Sequence, residues 1–284
     1  MMPEPAPLLA PPAISPVRFR RIAQLIHSRT GIRMPDSKIH LIEGRLMRKA
    51  REVGMANIDA YCDRVLNARP DDPLLTEFFN AVTTNKTDFF REPVHFDYLT
   101  TQLLPARHAA GQATLRCWSA AASSGMEAYT LAMVLAEAVQ AGLLRDFEIL
   151  ATDLDTRVLA EARRGVYRHA DLAAVPATLR AAWFANARDR RRREARVIPA
   201  LRSKVAFAQL NLMEAQYGLG DPLDVIFCRN VLIYFDKDTQ FRVISRLCEV
   251  LRPGGHLFLG HSETIHGLDL PLQAVGSTVF RKKG

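Results

Sequence analysis

Several acidic and polar side chains in this sequence follow apolar segments directly, which is where a ligand site would place them. Asp153 ends the apolar run ILATD and lies downstream of a small-residue turn that contains Gly125. Nucleotide-binding sheets place an acid at such a strand end, where its carboxylate accepts from two ribose hydroxyls. An acid at this point is also a common helix cap, and Asp155 is a candidate to begin the next helix. Asp153 is therefore a candidate nucleotide ligand, with a capping role as the alternative.

The segment WSAAASSGMEAYTLAM offers backbone rather than side-chain chemistry. Small residues and Gly125 follow an apolar run and precede a helical pattern. A ligand could therefore approach backbone N–H groups near the helix N-terminus. A tight strand-to-helix turn would have the same composition, so both interpretations stay open.

Two further segments place polar groups beside apolar ones. In DVIFCRNVLIYFD an apolar run leads straight into Arg229, Asn230 and Tyr234, although a helix cap followed by core aromatics would have the same pattern. In TTNKTDFFRE, Arg91 stands beside two aromatic residues. This pairing suggests a cover over a ligand, with a plain linker as the alternative.

These segments need elements that bring them to one place. TLRCWS, EILATD, DVIFCR and HLFLG are predicted strands, and helical patterns cover 127–138, 156–164 and 238–251. Such alternation predicts a parallel sheet with helices on both faces, and ligands bind beyond the carboxyl ends of its strands. In LRPGGHLFLGHSE, residues 253–255 are expected to turn a helix into a strand.

Residues from Phe19 to about Val82 are predicted to form short helices. The stretch SKIHLIEGRLMRKAREVG has apolar residues at helical spacing and a stop at Gly54, which predicts an amphipathic helix with a basic outer face. Ten basic and three acidic residues fall in 17–54, and thirteen and four in 157–204, within a chain of net charge +8. Such clusters attract an acidic partner, although they could equally be solvated helix faces.

The composition of the 284 residues is 48% hydrophobic and 24% charged, which indicates a globular protein and excludes collagen-like, disordered or disulfide-rich classes. No apolar run approaches the ~18 residues of a membrane-spanning helix. Residues 1–16 lack a basic start and contain prolines, so they are predicted to be a flexible leader rather than a signal peptide, which favours the cytoplasm. The four cysteines stand singly, so buried thiols and no metal site are expected.

Six segments, taken in order, resemble the chemotaxis receptor (glutamate O-)methyltransferase family, CheR: TNKTDFFRE, WSAAASSGMEAYTLAM, ATDLDTRVLAEARRGVY, NLMEAQY, FCRNVLIYFD and LRPGGHLFLGHSE. The resemblance covers residues 19–281. It implies an α/β fold, a class I S-adenosylmethionine-dependent methyltransferase (Rossmann-like) sheet with an inserted small β-subdomain at about 166–204. A small all-α N-terminal domain is expected at 17–92 and the methyltransferase domain at 93–284.

The resemblance implies an enzyme that transfers a methyl group from S-adenosylmethionine to glutamate side chains of chemoreceptors, leaving S-adenosylhomocysteine, for sensory adaptation. Ten residues are then expected to contact the cofactor: Asn85, Thr87, Arg91, Glu127, Asp153, Asn211, Leu212, Cys228, Arg229 and Asn230. Arg91 and Tyr234 are expected to be catalytic and to orient the incoming carboxylate. A glutamate with an ordinary pKa of about 4.3 is already an anion at neutral pH, so no general base is needed.

Two positions, Met126 and Ala128, depart from the family pattern. The glycine turn of the family usually continues Gly-Glu-Glu-Pro-Tyr, whereas this chain has GMEAY at 125–129. The acid expected to contact the cofactor, Glu127, is retained, and its neighbour is replaced by Met126. An effect on affinity, or the loss of a polar contact nearby, is expected.

The implied partners are the glutamate-rich cytoplasmic helices of chemoreceptors, with a docking surface at Arg45, Arg48, Lys49 and Arg51. No nucleic acid and no membrane insertion are expected, and the protein is expected to be a monomer. One alternative is a nucleic-acid methyltransferase, which the basic clusters favour, although the two prolines usual in that class are absent after Asn230. The other is a domain that binds the cofactor without transferring its methyl group, as a sensor or scaffold.

Overall fold

The computed structural model describes residues 14–284 and divides the chain into two compact units between Thr83 and Thr84. The predicted leader, 1–16, lies outside the described residues except for its end. There the prediction is wrong, because Ile14 is buried and Pro16 already begins a helix that Ser15 caps.

The first unit is helical, as predicted. Its helices are α1 (Pro16–Thr30), α2 (Ile39–Glu52), α3 (Ile58–Leu66) and α4 (Pro73–Val82). The side chains of Asn57 and Asp72 accept backbone N–H groups at the starts of α3 and α4, which explains where these helices begin. The apolar faces of all four helices meet in one core that includes Ile22, Leu46 and Phe78.

The second unit begins with α5 (Val94–Tyr98), a π-helical turn (Leu99–Leu103) and α6 (Leu104–Ala109). Strands and helices then alternate: β1 (Thr114–Ala120), α7 (Met126–Gln140), β2 (Asp146–Asp153), α8 (Thr156–Arg164), β3 (Val166–Arg168), α9 (Ala177–Trp183), β4 (Phe184–Asn186), β5 (Glu194–Val197), α10 (Pro199–Arg202), β6 (Val205–Gln209), β7 (Leu223–Cys228), α11 (Lys237–Val250), β8 (Leu251–Leu259), β9 (Leu272–Gly276) and β10 (Val279–Lys282).

Seven of these strands form one mixed sheet in the order β6-β2-β1-β7-β8-β10-β9. The five strands from β6 to β8 are parallel, and β10 and β9 join them antiparallel. All six residues of β7 are buried, as expected for a central strand that is covered on both faces. The predicted parallel sheet of an α/β fold is therefore confirmed.

A second, three-stranded antiparallel sheet, β3-β5-β4, is inserted between α8 and β6. This insertion lies where a small β-subdomain was expected, at about 166–204. The hydroxyl of Tyr167 in β3 donates to the carbonyl oxygen of Ser124 at 2.7 Å, and the Tyr167 ring meets Phe89 edge-on with centroids 4.9 Å apart. These contacts hold the inserted sheet beside the loop that follows β1.

The observed division after Thr83 precedes the boundary expected at residue 92. Segment 84–92 bonds to the second unit, because the Asn85 carbonyl oxygen accepts from Ser123 Oγ at 2.9 Å and the Phe90 N–H donates to Thr130 Oγ1 at 3.2 Å. The motif TNKTDFFRE therefore belongs to the same unit as the sheet.

The sequence predicts that residues 253–255 turn a helix into a strand, and this prediction is wrong. The strand β8 starts at Leu251, directly after α11, and residues 253–255 form an irregularity inside it. The pairing of β8 with β7 passes from Leu251 to His256 while β7 advances only from Leu223 to Val225. A bulge of this kind absorbs the extra residues without ending the strand.

All four cysteines are buried, as predicted. None of the helices within residues 14–284 combines the length and the apolar character that a membrane span requires.

Candidate active site

The carboxyl ends of the central strands lie side by side. Ala120, the last residue of β1, is in register with Thr152 of β2 and with Cys228 of β7, and Asp153 is in register with Gln209 of β6. The loops that follow these four strands therefore leave the sheet along one edge, which we call the rim. Three of the motifs singled out in the sequence lie on these loops.

Asp153 belongs to a closed ring of hydrogen bonds at the rim. Its carboxylate accepts from the backbone N–H of Ser123 at 2.8 Å and from that of Asp155 at 2.9 Å. Asn85 completes the ring, because its side-chain amide donates to Asp155 at 2.7 Å and its carbonyl oxygen accepts from Ser123 Oγ. We call these four residues the Asp153 ring. It joins the loops after β1 and β2 to the motif TNKTDFFRE.

The two acids after β2 have different roles. Asp155 caps α8 by accepting the backbone N–H of Arg157, so the capping alternative applies to Asp155. Asp153 is only 8% exposed, and burial raises the pKa of its carboxyl while the two backbone hydrogen bonds oppose that rise. Each Asp153 oxygen accepts one backbone N–H and keeps a lone pair for a hydroxyl donor.

A second group of charges centres on Arg229, whose side chain is 1% exposed. Its guanidinium donates to Glu92 at 3.0 Å, to Glu127 at 3.2 Å and to the carbonyl oxygen of Arg91. Glu127 also accepts from Ser119 Oγ at 2.6 Å. We call Arg229, Glu92, Glu127 and Asn230 the Arg229 network, since Asn230 donates its side-chain amide to Glu92 at 3.0 Å.

The two acids of the network have opposite pKa shifts. Burial raises the pKa of Glu127, and the charge of Arg229 only partly offsets that rise. Burial would also raise the pKa of Glu92, but the hydrogen bonds from Asn230 and Arg229 outweigh it and bring that pKa to about 2. Glu92 is therefore firmly ionised at neutral pH. With both acids ionised, the network carries one more negative than positive charge.

A buried acid holds the turn that carries Tyr234. Glu263, 5% exposed, accepts the backbone N–H groups of Asn230 at 3.0 Å, Val231 at 2.9 Å and Leu232 at 2.7 Å. A 3-10 turn, Leu232–Tyr234, follows directly. The position of Tyr234 after β7 therefore depends on Glu263, which lies in the loop after β8.

The rim loops have an unusual backbone. Five non-glycine residues have positive φ angles: Phe90, Glu92, Ala121, Ser123 and Asn230. Left-handed backbone costs a non-glycine residue roughly 1–2 kcal/mol, and such strain clusters at functional sites. These positions lie in the motif TNKTDFFRE and in the loops after β1 and β7, and each of these three segments contributes to the Asp153 ring or to the Arg229 network.

Asn211, Leu212 and Cys228, which are also expected to contact the cofactor, lie near the Asp153 ring and differ in how exposed they are. The N–H of Leu210 donates to the Asp153 carbonyl oxygen at 3.1 Å, which brings Asn211 and Leu212 next to the Asp153 ring. Cys228 is 0% exposed and burial raises the pKa of its thiol, so only its backbone can reach a ligand.

Thr87 lies apart from both groups and lines a neighbouring cleft of about 530 Å³ together with Asn85, Met126 and Tyr167. Asp153, Glu127 and Arg229 are not among the residues that line this cleft. The cleft lies between residues 85–88 of the motif TNKTDFFRE and strand β3 of the inserted sheet. The structure thus brings Met126, one of the two departures from the family pattern, to this cleft.

The four predicted docking residues on α2 differ in their surroundings. Arg48 and Arg51 are exposed. Lys49 forms ion pairs with Glu77 and with Glu52, the latter at 3.1 Å. Arg45 donates to the carbonyl oxygens of Val82 and Thr83 at 2.8 Å each. Two of the four cations are therefore engaged in holding α2 within the first unit.

Sequence reasoning missed several residues of the site. Glu92 and Glu263 lie in the quoted motifs TNKTDFFRE and LRPGGHLFLGHSE but were not assigned a role, and Ser123 was read only as part of a small-residue turn. The available signal was an acid inside a largely apolar segment, since a buried carboxylate must accept hydrogen bonds. The donors it meets are far away in sequence and could not be named.

The rim suits a ligand that is both hydroxylated and cationic. Asp153 keeps lone pairs for hydroxyl donors, and a positive group beside Glu127 would favour the ionised form of that acid, whose pKa burial raises. S-adenosylmethionine has a ribose, an ammonium group and a sulfonium cation, so the residues present fit this cofactor.

Comparison with known proteins gives the same assignment. Residues 85–281 match the family described as CheR methyltransferase, SAM binding domain, and residues 18–83 match CheR methyltransferase, all-alpha domain. The chain is 39% identical over 268 residues to the chemotaxis protein methyltransferase of Escherichia coli (strain K12), covering 94% of this chain and 91% of that one.

It is also 41% identical over 263 residues to chemotaxis protein methyltransferase 2 of Pseudomonas aeruginosa, covering 92% and 91% of the two chains. The predicted family, the fold class and the cofactor S-adenosylmethionine are confirmed by these matches. With both of its units matched and with carboxylates at the rim that fit the cofactor, the chain belongs to the CheR methyltransferase family.

Proposed function

We propose that this protein transfers the methyl group of S-adenosylmethionine to glutamate side chains of chemoreceptors, forming methyl esters for sensory adaptation. The observation that carries the proposal is the likeness to chemotaxis protein methyltransferases over more than nine-tenths of the chain. The rim supports it, because its acids fit the cofactor and Arg91 and Tyr234 lie on the loops that build it.

The reaction needs alignment more than it needs proton transfer. The cofactor, when bound, supplies a methyl group on a cationic sulfur. A receptor glutamate is ionised at neutral pH, so the enzyme must hold its carboxylate in line with the methyl group and exclude water. In this proposal Asp153 and Glu127 hold the cofactor, while Arg91 and Tyr234 orient the carboxylate.

The setting of Arg91 suits an orienting role. Its side chain is half-buried and donates from Nη1 to the carbonyl oxygen of Lys86 at 3.0 Å, while its own carbonyl oxygen accepts from Arg229. Further guanidinium N–H groups stay available for a substrate oxygen. A tight two-point grip would stabilise the substrate carboxylate more than the transition state, in which that charge is lost, and would slow the step.

The proposed substrate is the receptor, through its glutamate-rich cytoplasmic helices. The basic face of α2 is the proposed docking surface, with Arg48 and Arg51 as its exposed cations. Charge attraction of this kind raises the association rate and weakens with salt. The protein is proposed to act in the cytoplasm as a monomer, without binding nucleic acid.

The docking proposal predicts the effect of a double charge reversal. Arg48→Glu with Arg51→Glu should raise the KM for receptor at least threefold and flatten the dependence of the methylation rate on salt, without changing cofactor affinity. The matched control is Arg69→Glu, an exposed cation of the same unit whose side chain is 86% exposed. Steady-state methylation at several salt concentrations measures both effects. Equal KM values for the double variant and the control would exclude this surface.

The function itself is tested with labelled S-adenosylmethionine. Purified protein is incubated with membranes from its own source, and the label should appear in receptor protein and be released by mild alkali, as for a carboxyl ester. Label in nucleic acid would favour the nucleic-acid methyltransferase. Cofactor binding without any label transfer would favour the non-enzymatic sensor.

A further inference from the structure

A buried histidine nitrogen beside the Arg229 network has no hydrogen-bond partner. His95 of α5 is 0% exposed, and its Nε2 lies 2.9 Å from Thr278 Oγ1 and 3.3 Å from the Ser277 carbonyl oxygen. For its Nδ1, no hydrogen-bond partner is found in the described part of the chain. A buried polar atom left unpaired is costly and requires an explanation.

The partners of Nε2 indicate which nitrogen carries the proton. The Ser277 carbonyl oxygen can only accept a hydrogen bond, so it favours the tautomer with the proton on Nε2. A neutral imidazole has one protonated and one unprotonated ring nitrogen. Nδ1 therefore presents a lone pair rather than a proton.

That lone pair faces another acceptor. Glu92 Oε2 lies 3.6 Å from His95 Nδ1, and the Glu92 carboxylate accepts from Asn230 and Arg229. Arg229 donates to this same Glu92 oxygen, and His95 Nδ1 keeps a lone pair that a metal ion placed between the two atoms would accept. Two ligand atoms each about 2.0–2.1 Å from a tetrahedral zinc ion stand about 3.3–3.4 Å apart, close to the observed spacing.

A third ligand lies on the solvent side. His261, in the loop after β8, is exposed, and its ring centroid is 5.2 Å from that of His95. One ligand atom from each of Glu92, His95 and His261 lies within 4.8 Å of the others. Two imidazoles and a carboxylate form a zinc donor set that leaves one position open. The Nε2 contacts of His95 are the outer-shell support that metal-binding histidines usually have.

We propose that Glu92, His95 and His261 form a binding site for a divalent transition metal ion, with Zn²⁺ as the best fit. The sequence predicted no metal site, because these residues show no metal-binding spacing and meet only through the fold. Imidazole ligands favour zinc and its neighbours over magnesium or calcium.

The site is inhibitory in this proposal. Arg229 lies 3.0 Å from the same Glu92 oxygen that faces His95. Zn²⁺ and Arg229 then share the Glu92 carboxylate, which weakens the ion pair between Glu92 and Arg229. The contact of Arg229 with Arg91 weakens with it. Bound Zn²⁺ should therefore slow methyl transfer. This effect rests on the proposed function, whereas metal binding does not.

The site is tested by titrating Zn²⁺ into the purified full-length protein in a calorimeter. The wild type should bind one saturating equivalent, and His261→Ala should bind at least tenfold more weakly. His266→Ala removes another exposed histidine of the same loop and should bind as the wild type does. Saturating Zn²⁺ should also raise the Tm of the wild type and of His266→Ala but not that of His261→Ala.

Two results would overturn the proposal. Absence of saturable Zn²⁺ binding to the wild type, or equal affinity of the wild type and His261→Ala, excludes the site. Equal inhibition by Zn²⁺ of methyl transfer by the wild type and His261→Ala excludes the inhibitory role, while calorimetry decides on the site independently of any activity.

Discussion

Asp153 shapes the rim and is the proposed partner of the cofactor's hydroxyl groups. Its oxygens hold Ser123 and Asp155 in place and keep lone pairs for hydroxyl donors. Asp153→Ala removes both functions, so we expect cofactor affinity, measured by calorimetry, to fall by at least tenfold, about 1.4 kcal/mol.

The matched control for this prediction is Asp146→Ala. Asp146 begins the same strand at its opposite end, where it pairs with Lys204 and accepts the backbone N–H of Phe147. Its removal should leave the Kd for the cofactor unchanged. Wild-type affinity in Asp153→Ala would remove Asp153 from the site.

Arg91 is expected to act on the rate more than on the cofactor. Arg91→Ala leaves the backbone carbonyl that Arg229 needs and deletes only the guanidinium. The rate of labelled methyl transfer to receptor should fall roughly 10–100-fold, about 1.4–2.7 kcal/mol in the barrier, while the Kd for the cofactor changes by less than about threefold. Transfer at the wild-type rate would contradict this role.

At the scale of elements, Gly125 sets the approach of α7 to α8. It has a φ of +86°, and an added Cβ would lie 2.8 Å from the Cβ of Ala162. Gly125→Ala should therefore destabilise the fold by about 3 kcal/mol or more, through backbone strain and a clash together. Urea unfolding gives the free energy.

Gly142→Ala separates the two causes. Gly142 has a φ of +75° but no atom within 4 Å of an added Cβ, so only the backbone strain remains. We expect it to cost about 1–2 kcal/mol. Equal losses in the two variants would show that the contact with Ala162 does not matter.

Element positions were largely predictable because they depend on local sequence. Helix α8 is at 156–164 as predicted, since Asp155 caps its start and Gly165 ends it in left-handed backbone. Strand ends were also predictable from apolar runs, and parallel pairing then placed Asp153 and Arg229 at one rim. The polar pattern marked the segments of Arg91 and Tyr234, but their roles, and that of Asn85, were assigned through resemblance to the family.

The pairing partners at the rim were not predictable. Arg229 meets Glu92 across more than a hundred residues of chain, and Glu92 reaches it from left-handed backbone that its sequence does not signal. The sequence also did not show which cations on α2 are exposed. The helical pattern places Lys49 on the outer face, but Lys49 forms an ion pair with Glu77 of another helix.

At the scale of the whole molecule, stability should depend on a partly buried histidine of strand β8. Burial, reinforced by the charges of Arg281 and Arg107, lowers the pKa of His256 to about 4. The unfolded chain, with an ordinary histidine pKa of about 6.5, binds this proton first as the pH falls. The histidine therefore lowers stability between about pH 6.5 and pH 4, by up to roughly 1.4 kcal/mol per pH unit.

His256→Gln should remove this share of the pH dependence. Urea unfolding at pH 7, 6 and 5 should show the wild type losing more stability on acidification than the variant. The matched control is His266→Gln, which changes an exposed histidine and should keep the wild-type slope. Parallel slopes for the wild type and His256→Gln would contradict the lowered pKa.

The left-handed residues of the rim bear on how such an enzyme can diversify. Phe90 and Glu92, Ala121 and Ser123, and Asn230 lie in three separate loops, and hydrogen bonds join the loop of Phe90 and Glu92 to each of the other two. Transplanting one loop from a relative would leave its former neighbours free to relax. We therefore expect the three loops to evolve together. Differences in substrate choice among relatives should then arise from substitutions outside these loops.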